Sequence, residues 1–531
     1  MTTAPGTLGV MPKPLVSQAR QQIANGSFEA AAQSLIGYLR RAPDDGEALA
    51  LLGRAAMMLG ALGQAEQFLR QALARGANGL EVVRDLVSVL NQQERAGDVL
   101  NLIAGMQRHD DDIVLRSIEA SVLNKLGRSD EAIAIHAALA AENPSSPPMQ
   151  IAYGHDLRAA GRVDEAIAAY RAAIAVDPEI GDSWWGLASI KRPVLDHADI
   201  VALREQLDIA VDVRNTAPLN FALARAFHDR SDYAAAFGHY AEGNRLRAES
   251  LKYDAGELTQ EVAETERTAT RALLDAMPSE PVGTGNPIFI VSLPRSGSTL
   301  LEQMLGSHAA IEPAGELGYI PAILRTVMEM ATRRGKVTVP QAIAGLSDEM
   351  ARPLGNDYLA RAAHHRKTGR PFFIDKLPHN WSNILFIRRI LPQARFVDIR
   401  RPAMDCCFSN FTQSFTSAHA SSFALPDIGQ CYVDNVRLMQ HFDRVAPGLV
   451  HHTAYLELVE QPRQEIGRIL EYLGLEWDDA VLDFHQLDRV VRTPSSEQVR
   501  RPLNRDGVDI WKPYSQWLDP LRVVLGDLAE A

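Results

Sequence analysis

The residues of this sequence whose types and spacing best suit chemistry lie in segment 292–299, Ser-Leu-Pro-Arg-Ser-Gly-Ser-Thr. The segment follows an apolar run at 288–291 and precedes an apolar helical pattern that starts at Leu300. A strand, a tight loop and a helix in this order direct backbone N–H groups and the unpaired donors of a helix N-terminus at one anion. Gly297 lets the backbone approach that anion closely. The segment therefore predicts a phosphate-binding loop.

This loop matches only part of the Walker pattern GxxxxGK[ST]. Gly297 and Thr299 agree with the pattern, whereas Ser292 replaces its first glycine and Ser298 replaces its lysine. Without that lysine the usual contact with the β- and γ-phosphates of a triphosphate is missing. The loop is therefore predicted not to serve triphosphate hydrolysis, and a P-loop kinase remains a weaker alternative.

Residues 286–520 resemble the sulfotransferase family, and most closely its tyrosylprotein sulfotransferase branch and the bacterial relatives of that branch that carry tetratricopeptide repeats. In that family an Arg-Ser-Gly-(Ser/Thr)-Thr loop cradles the 5′-phosphosulfate of the donor 3′-phosphoadenosine 5′-phosphosulfate (PAPS). The resemblance implies that the same five loop residues bind the donor here, namely Arg295, Ser296, Gly297, Ser298 and Thr299.

A second part of the resemblance concerns the 3′-phosphate and the adenine of the donor. The family holds the 3′-phosphate with an Arg that stands eight residues before a Ser, as Arg401 stands before Ser409. Arginine suits phosphate because its planar fork donates two parallel hydrogen bonds. Tyr455 matches the family's Tyr-x-x-Leu-Val motif near the adenine, although Leu456 departs from the family's Tyr-Glu-Asp form.

The resemblance also implies catalytic residues. Sulfuryl transfer needs a base for the acceptor hydroxyl and positive charge near the leaving group. Glu316 lies where the tyrosylprotein branch has Gly-Glu-Glu and its base, but strict alignment of the second Glu falls on Leu317, and Glu312 is a rival. Glu316 is therefore the predicted base, with helix capping or pairing with a lysine as the structural alternative.

Lys376 and Ser495 complete the predicted catalytic set. Lys376 follows an apolar run at 372–374 and matches the family's Lys before a Pro, where it could stabilise the bridging oxygen as the bond to sulfur breaks. Asp375 is expected to be its ion-pair partner or an accessory group. Ser495 begins segment 495–504, which resembles the family segment that closes over the donor and places a Ser near the sulfuryl group.

The N-terminal third repeats itself with a period of about 34 residues. The second half of each unit begins with a Gly that is followed five residues later by an Ala. These glycines are Gly26, Gly60, Gly127 and Gly161. A weaker unit at 94–99 fills the gap between the units of Gly60 and Gly127. This pattern resembles tetratricopeptide repeats, which stack into a superhelix that binds peptide or protein. A purely structural helical array is the alternative. Trp184 and Trp185 are predicted to pack inside the next repeat.

Pro and Gly concentrate at 278–287, which marks a linker, and short apolar runs at 288–291, 372–374 and 396–399 then alternate with helical patterns. That alternation is typical of βαβ units. The predicted fold class is an all-α tetratricopeptide-like solenoid followed by an α/β P-loop-type sulfotransferase domain with a central parallel sheet. The predicted parts are a flexible N-terminus (1–13), helical repeats (14–190), further helices (191–277, with a degenerate repeat at 232–236), the linker (278–287) and the sulfotransferase domain (288–531).

The composition limits the partners. The 531 residues include 54 Lys and Arg against 66 Asp and Glu, a net charge of −12, so bulk binding to nucleic acid or to an anionic membrane is not expected. No run is long and apolar enough to span a bilayer and no secretory signal pattern opens the chain, so a cytoplasmic location is expected. Three cysteines and two pairs of adjacent histidines lack metal-site spacing, and no metal is predicted.

The sequence therefore predicts a sulfotransferase that moves a sulfuryl group from PAPS to a hydroxyl acceptor. A protein tyrosine presented by the repeats is the favoured acceptor hypothesis, since a bound polypeptide would have a raised effective concentration at the site. Small-molecule, glycan or lipid hydroxyls could use the same donor site. A repeat scaffold with a nucleotide-binding but inactive domain is the second alternative beside the kinase.

Overall fold

The computed structural model describes residues 14–106, 111–332, 335–415, 417–486 and 499–530. Contacts within the chain divide it into two compact units. The first is Met1–Val122 with Arg325–Arg333, and the second is Leu123–Leu324 with Arg334–Ala531.

The first unit is built from helical hairpins. Neighbouring helices pack closely because small residues face large ones; a Cβ on Gly53 would lie 2.6 Å from Cγ of Leu69. Alanine and leucine fill the buried positions, and Ala19, Ala31 and Leu35 are fully buried. The helices are α1 (Pro14–Ala24), α2 (Phe28–Leu39), α3 (Gly46–Met58), α4 (Leu62–Ala74), α5 (Leu80–Gln92) and α6 (Ala96–Ala104).

The second unit opens with more helices of the same kind. The longest of them form an antiparallel pair, α13 and α14, which is followed by α15 and α16. The helices are α7 (Ile113–Lys125), α8 (Ser129–Glu142), α9 (Pro147–Ala159), α10 (Val163–Val176), α11 (Gly181–Ala188), α12 (His197–Ile209), α13 (Val213–His228), α14 (Tyr233–Leu251), α15 (Ala255–Thr268) and α16 (Arg271–Ala276); α7 begins in the first unit.

The repeat turns share one backbone conformation. Every predicted turn glycine has a positive φ, between 76° and 82°, and the weaker unit has Glu94 there with φ 55°. Ser231, which precedes the degenerate repeat, also has a positive φ, 60°. The residue five positions further on is fully buried in each unit, which fits close helix packing. These residues are Ala31, Ala65, Val99, Ala132, Ala166 and Ala236.

A five-stranded parallel sheet follows in the second unit, with the order β2-β3-β1-β4-β5. The strands are β1 (Asn286–Val291), β2 (Ile311–Gly315), β3 (Phe372–Asp375), β4 (Arg395–Arg400) and β5 (Val450–Ala454). The three predicted apolar runs form the three central strands. The helical repeats and the parallel sheet confirm the predicted fold class.

Helices cover the sheet. On one face, Ile288 and Ile290 pack with Leu301, Met304 and other buried aliphatic side chains. On the other, the Phe289 ring lies 5.6 Å from Tyr358 and 5.8 Å from Phe396, centroid to centroid. The helices in this part of the chain are α17 (Ser298–Gly306), α18 (Tyr319–Thr332), α19 (Val339–Ala344), α20 (Asp348–Ala363), α21 (Ile384–Ile390), α22 (Ala403–Phe411), α23 (Leu425–Val445), α24 (Tyr455–Glu460), α25 (Pro462–Leu473) and α26 (Asp519–Leu525); α18 from Arg325 onward belongs to the first unit.

Short 3₁₀ segments complete the fold at Pro378–Asn383, Ser417–Phe423, Asp479–Leu482, Phe484–Gln486, Lys512–Trp517 and Gly526–Glu530. Among the described residues, no helix is long and apolar enough to cross a bilayer.

Candidate active site

A residue singled out from the sequence follows each of the five strands directly. In a parallel sheet the carboxyl ends of all strands meet at one edge, where α/β folds bind their ligands. The fold therefore brings residues that are far apart in the chain to one edge of the sheet. In chain order of the strands they are Ser292, Glu316, Lys376, Arg401 and Tyr455.

The phosphate loop leaves the central strand β1 and enters α17 at Ser298. Two of its residues have left-handed backbone conformations, Arg295 with φ 67° and Gly297 with φ 98°. These conformations turn the chain tightly enough for the helix to begin directly after the loop. Ser296 is buried, and its Oγ lies 3.3 Å from Sγ of Cys406.

Hydrogen bonds join the loop to the Arg401–Ser409 element. Arg401 follows β4, and its Nη1 donates to the carbonyl oxygen of Arg295 at 2.8 Å. Ser409 lies on α22, and its Oγ accepts from Nε of Arg295 at 3.2 Å. Tyr432 donates its hydroxyl to the carbonyl oxygen of Arg401 at 2.9 Å, which fixes the start of this segment. Two elements predicted from separate motifs thus form one hydrogen-bonded group.

This group concentrates positive charge. Burial, and then the nearby charge of Arg401, lower the pKa of Arg295 to about 10. Arg401 is also buried, and its Nε has no hydrogen-bond partner among the described residues. Asp405 lies 3.9 Å from Arg401, but its carboxylate also accepts the backbone N–H groups of Asp509 and Ile510 at 3.0 and 2.9 Å. Arg401 also lines a cavity beside the loop, and a guanidinium in such a place fits a phosphate group.

Tyr455 closes one side of the loop. Its ring packs so tightly against Gly297 that a Cβ there would lie 2.4 Å from Cδ2 of the tyrosine. The guanidinium of Arg401 lies 5.6 Å from the centroid of the same ring. Glycine is therefore required at 297 both by its positive φ and by this contact.

Glu316 and Lys376 form an ion pair at the ends of β2 and β3. The Lys376 side chain is only 1% exposed, whereas that of Glu316 is 44% exposed. Asp375 is not the partner of Lys376: its carboxyl accepts from the Tyr358 hydroxyl at 2.9 Å and from the backbone N–H of Leu317 at 3.4 Å. Burial raises the pKa of Asp375 to about 8.

Glu312, the rival base, has a structural environment. Its carboxylate accepts backbone N–H groups from Lys367, from Thr368 at 2.6 Å and from Gly369 at 3.2 Å. It also lies 3.7 Å from the guanidinium of Arg366. These contacts tie the Glu312 carboxylate to the backbone of 367–369, which gives this residue a structural role.

A cavity of about 350 Å³ lies beside the phosphate loop. The predicted donor residues that line it are Arg295, Gly297, Ser298, Thr299, Arg401, Ser409 and Tyr455. Glu316, Lys376 and Ser296 are not among its lining residues. Ser495 lies outside the described residues, whereas later residues of the same segment, Arg501 to Asn504, line the cavity.

Sequence reasoning missed one side of this cavity. Trp185, Lys191, Arg225 and His228 line it, and they come from helices or loops before the sheet. Trp184 packs as predicted: it is 2% exposed and its Nε1 donates to the carbonyl oxygen of Pro178 at 2.9 Å. There was one indication for Trp185 in the sequence: it adjoins Trp184, and Trp184 already fills the core position. Across the described part of the chain, no group of three or more His, Cys, Asp or Glu side chains is placed to hold a metal ion.

Family models match both parts of the chain. Residues 287–479 match the model of the sulfotransferase family. Residues 22–90 and 152–190 match two tetratricopeptide repeat models.

Curated relatives match over part of their length. An uncharacterized protein of Aquifex aeolicus is 32% identical over 321 residues, which is 60% of this chain and 42% of that protein. Protein-tyrosine sulfotransferase 1 of Danio rerio is 26% identical over 241 residues, 42% of this chain and 65% of that protein. Protein-tyrosine sulfotransferase A of Caenorhabditis elegans is 26% identical over 42% of this chain and 60% of its own. The chain thus spans less than two thirds of each of these relatives.

Solved structures resemble each part separately. The sulfotransferase domain of the Synechococcus PCC 7002 olefin synthase covers 48% of this chain and 97% of its own, with 22% identity and a TM-score of 0.33. YrrB, a tetratricopeptide protein described as having an unusual peptide-binding site, covers 32% and 89%, with 17% identity and a TM-score of 0.28. The matched family models show that this chain joins tetratricopeptide repeats to a sulfotransferase-family domain.

Proposed function

We propose that the protein is a sulfotransferase that uses PAPS and transfers its sulfuryl group to a hydroxyl acceptor. The observation that carries the proposal is the bond from Arg401 to the carbonyl oxygen of Arg295, 2.8 Å long, which joins the phosphate loop to a second phosphate-binding element. A donor with phosphate groups at both its 5′ and 3′ positions needs two such elements side by side. When bound, PAPS supplies the activated sulfuryl group.

The loop and the arginines bind and orient the donor. The backbone N–H groups of the loop and of the first turn of α17 hold the 5′ end, with Ser298 and Thr299 as additional donors. Arg401 and Ser409 hold the 3′-phosphate, and both residues line the cavity. Tyr455 borders the adenine side, where its ring packs against Gly297.

Glu316 and Lys376 carry the proton and charge roles. The carboxylate of Glu316 reaches solvent and accepts the proton of the acceptor hydroxyl. The ammonium of Lys376 is buried, so its positive charge is poorly screened and stabilises negative charge on the leaving oxygen. The two side chains form an ion pair with one another. Ser495 is assigned to the sulfuryl group by family resemblance.

A peptide tyrosine is the proposed acceptor. Several curated relatives are named as protein-tyrosine sulfotransferases, and the repeat matches belong to a class of domain that binds peptide or protein. A peptide held by the repeats would have a raised local concentration at the site.

Transfer from radiolabelled PAPS tests the acceptor. Peptides with one tyrosine are compared with matched peptides in which that residue is phenylalanine or serine, using the wild-type protein and Lys376→Ala. Label on the tyrosine peptide alone, lost in Lys376→Ala, is the expected result. Small hydroxyl compounds with PAPS, and the same peptides with ATP and magnesium, are assayed in parallel. Label only on the small hydroxyl compounds would overturn the peptide acceptor but keep sulfuryl transfer. Phosphorylation of a peptide from ATP would overturn both.

A further inference from the structure

The cavity beside the phosphate loop is only partly made by the sulfotransferase-family domain. Its other side is a helical wall, which we define as Trp185, Ser189, Lys191, Arg225, His228 and Tyr240. These residues come from α11, the loop after it, α13 and α14. The wall and the phosphate loop belong to the same compact unit.

Specific contacts fix the wall against the domain. His228, at the end of α13, shares a hydrogen bond of 2.7 Å between its Nδ1 and the Tyr514 hydroxyl. Nδ2 of Asn244 on α14 donates to the carbonyl oxygen of Phe411 at 2.8 Å. The Phe237 ring of α14 stacks 6.0 Å from that of Phe411. Phe411 ends α22, the helix that carries Ser409, so the wall is anchored beside the proposed 3′-phosphate element.

The wall adds positive charge to the same cavity. Lys191 and Arg225 line it together with Arg295, Arg401 and Arg501, whereas Asp506 is the one acidic side chain among the described residues that line it. Arg225 retains a carboxylate neighbour, Asp229, at 2.9 Å. Such a concentration of cations in a chain of net charge −12 fits a ligand with several negative charges.

A further arginine stands behind the wall. Nη1 of Arg158 donates to Oγ of Ser189 at 2.5 Å, which holds the loop that leads to Lys191. Burial and the charge of Arg401, with a smaller contribution from Arg158, lower the pKa of Arg295. The helices before the sheet are therefore close enough to act electrostatically on the phosphate loop.

We propose that Lys191 and Arg225 of the helical wall bind the 3′-phosphate end of the donor nucleotide. This inference rests on the proposed function. It assigns to the helices before the sheet a direct part in donor binding, in addition to any part in presenting an acceptor. The wall would then favour nucleotides that carry a 3′-phosphate over those that do not.

Lys191 offers the cleanest test, because it lies in a loop and has a matched neighbour. Lys191→Gln removes the charge from the wall, and Arg192→Gln is the control, since Arg192 is half exposed, pairs with Asp164 and does not line the cavity. Calorimetry measures the affinity of each variant for 3′-phosphoadenosine 5′-phosphate and for adenosine 5′-phosphate. Circular dichroism melting verifies that each variant is folded.

We expect Lys191→Gln to weaken binding of the 3′-phosphorylated nucleotide about tenfold and to leave adenosine 5′-phosphate unaffected, with Arg192→Gln matching the wild type. Lys191→Arg should retain most of the affinity, and Arg225→Lys should give a second, smaller loss. Unchanged affinity in Lys191→Gln, or an equal loss for both nucleotides, would overturn the role of the wall. Failure of the wild-type protein to bind the 3′-phosphorylated nucleotide would instead overturn the proposed function.

Discussion

Arg401 connects three parts of the site. Its Nη1 holds the phosphate loop, its Nη2 donates to the carbonyl oxygen of Gly507, and its guanidinium borders the ring of Tyr455. Arg400 beside it points to a different environment, where it pairs with Asp398 at 3.0 Å. The two neighbouring arginines therefore have different surroundings: Arg401 lines the cavity, whereas Arg400 pairs with the buried carboxylate of Asp398.

Arg401→Ala should therefore weaken binding of 3′-phosphoadenosine 5′-phosphate by about 1.5 to 3 kcal/mol, because it removes a charge-assisted contact. Arg400→Ala is the matched control and should bind the nucleotide as the wild type does. Calorimetry provides the comparison. Equal affinities in the two variants would refute the assignment of Arg401 to the 3′-phosphate.

Glu316→Gln should reduce sulfuryl transfer by about 10² to 10⁴-fold while donor binding stays nearly unchanged, because the amide still accepts from Lys376 but takes no proton. Glu312→Gln should instead lower thermal stability, since Glu312 holds the backbone of 367–369. Turnover and melting are measured on both variants. Full activity in Glu316→Gln would assign the base to another residue.

Asp375 should make stability depend on pH. Its pKa is raised by burial from about 3.8 to about 8, so the folded state keeps a proton that the unfolded state has lost between these values. The stability contributed by the neutral acid is present at low pH and is lost as pH rises toward 8. Between pH ~5 and pH ~8 the free energy of unfolding of the wild type should fall by more than about 1.4 kcal/mol relative to that of Asp375→Asn, because the amide of the variant mimics the protonated acid. Denaturant unfolding measures the free energy of unfolding of both proteins at both pH values. The same difference between wild type and Asp375→Asn at pH ~5 and pH ~8 would contradict this prediction.

At the scale of elements, the repeat turns show how far sequence reasoning reaches. The turn glycines were visible in the sequence because a positive φ favours glycine. The same turn at Glu94 was only a weak signal, and Ser231 lay outside the predicted unit at 232–236, although both residues adopt the same conformation. Tertiary packing of the following helix, with Val99 or Ala236 fully buried, maintains these turns without the favoured residue.

Substitutions at Gly60 and Glu94, which occupy equivalent repeat turns of the first compact unit, should change the free energy of unfolding in opposite directions. A Cβ on Gly60 would meet no atom within 4 Å, so Gly60→Ala should cost about 1 kcal/mol through backbone strain alone. Glu94→Gly should stabilise by about 0.5 to 1 kcal/mol, because it relieves the same strain. Chemical denaturation measures both free energies of unfolding. If both substitutions changed the free energy of unfolding in the same direction, a strain common to non-glycine residues at these two turns would be disproved.

The sheet shows where sequence reasoning fails. The three central strands are continuous apolar runs, because strands buried on both faces need them. The two edge strands, β2 and β5, were not predicted: Ile-Glu-Pro-Ala-Gly and Val-His-His-Thr-Ala carry polar residues, proline or glycine. Edge strands tolerate these residues since one side is not hydrogen-bonded to a neighbour.

At the scale of the whole molecule, the cavity combines segments that are distant in sequence. Arg295, Arg401 and Tyr455 were predicted because each belongs to a local motif through which the sequence resembles the sulfotransferase family. The helical wall could not be predicted in this way, since Lys191 and Arg225 belong to no donor-binding motif. The wall borders the cavity through tertiary packing, in which α13 and α14 bond to the domain. A net acidic chain can therefore present a strongly basic site.

Calorimetric titration of the full chain with 3′-phosphoadenosine 5′-phosphate, in parallel with ATP and magnesium and with adenosine 5′-phosphate, tests the central claim most directly. Two phosphate-binding elements side by side predict clear binding of the nucleotide with phosphates at both positions and much weaker binding of the other two. Preference for ATP with magnesium, or no binding of the 3′-phosphorylated nucleotide, would contradict a PAPS-dependent sulfotransferase.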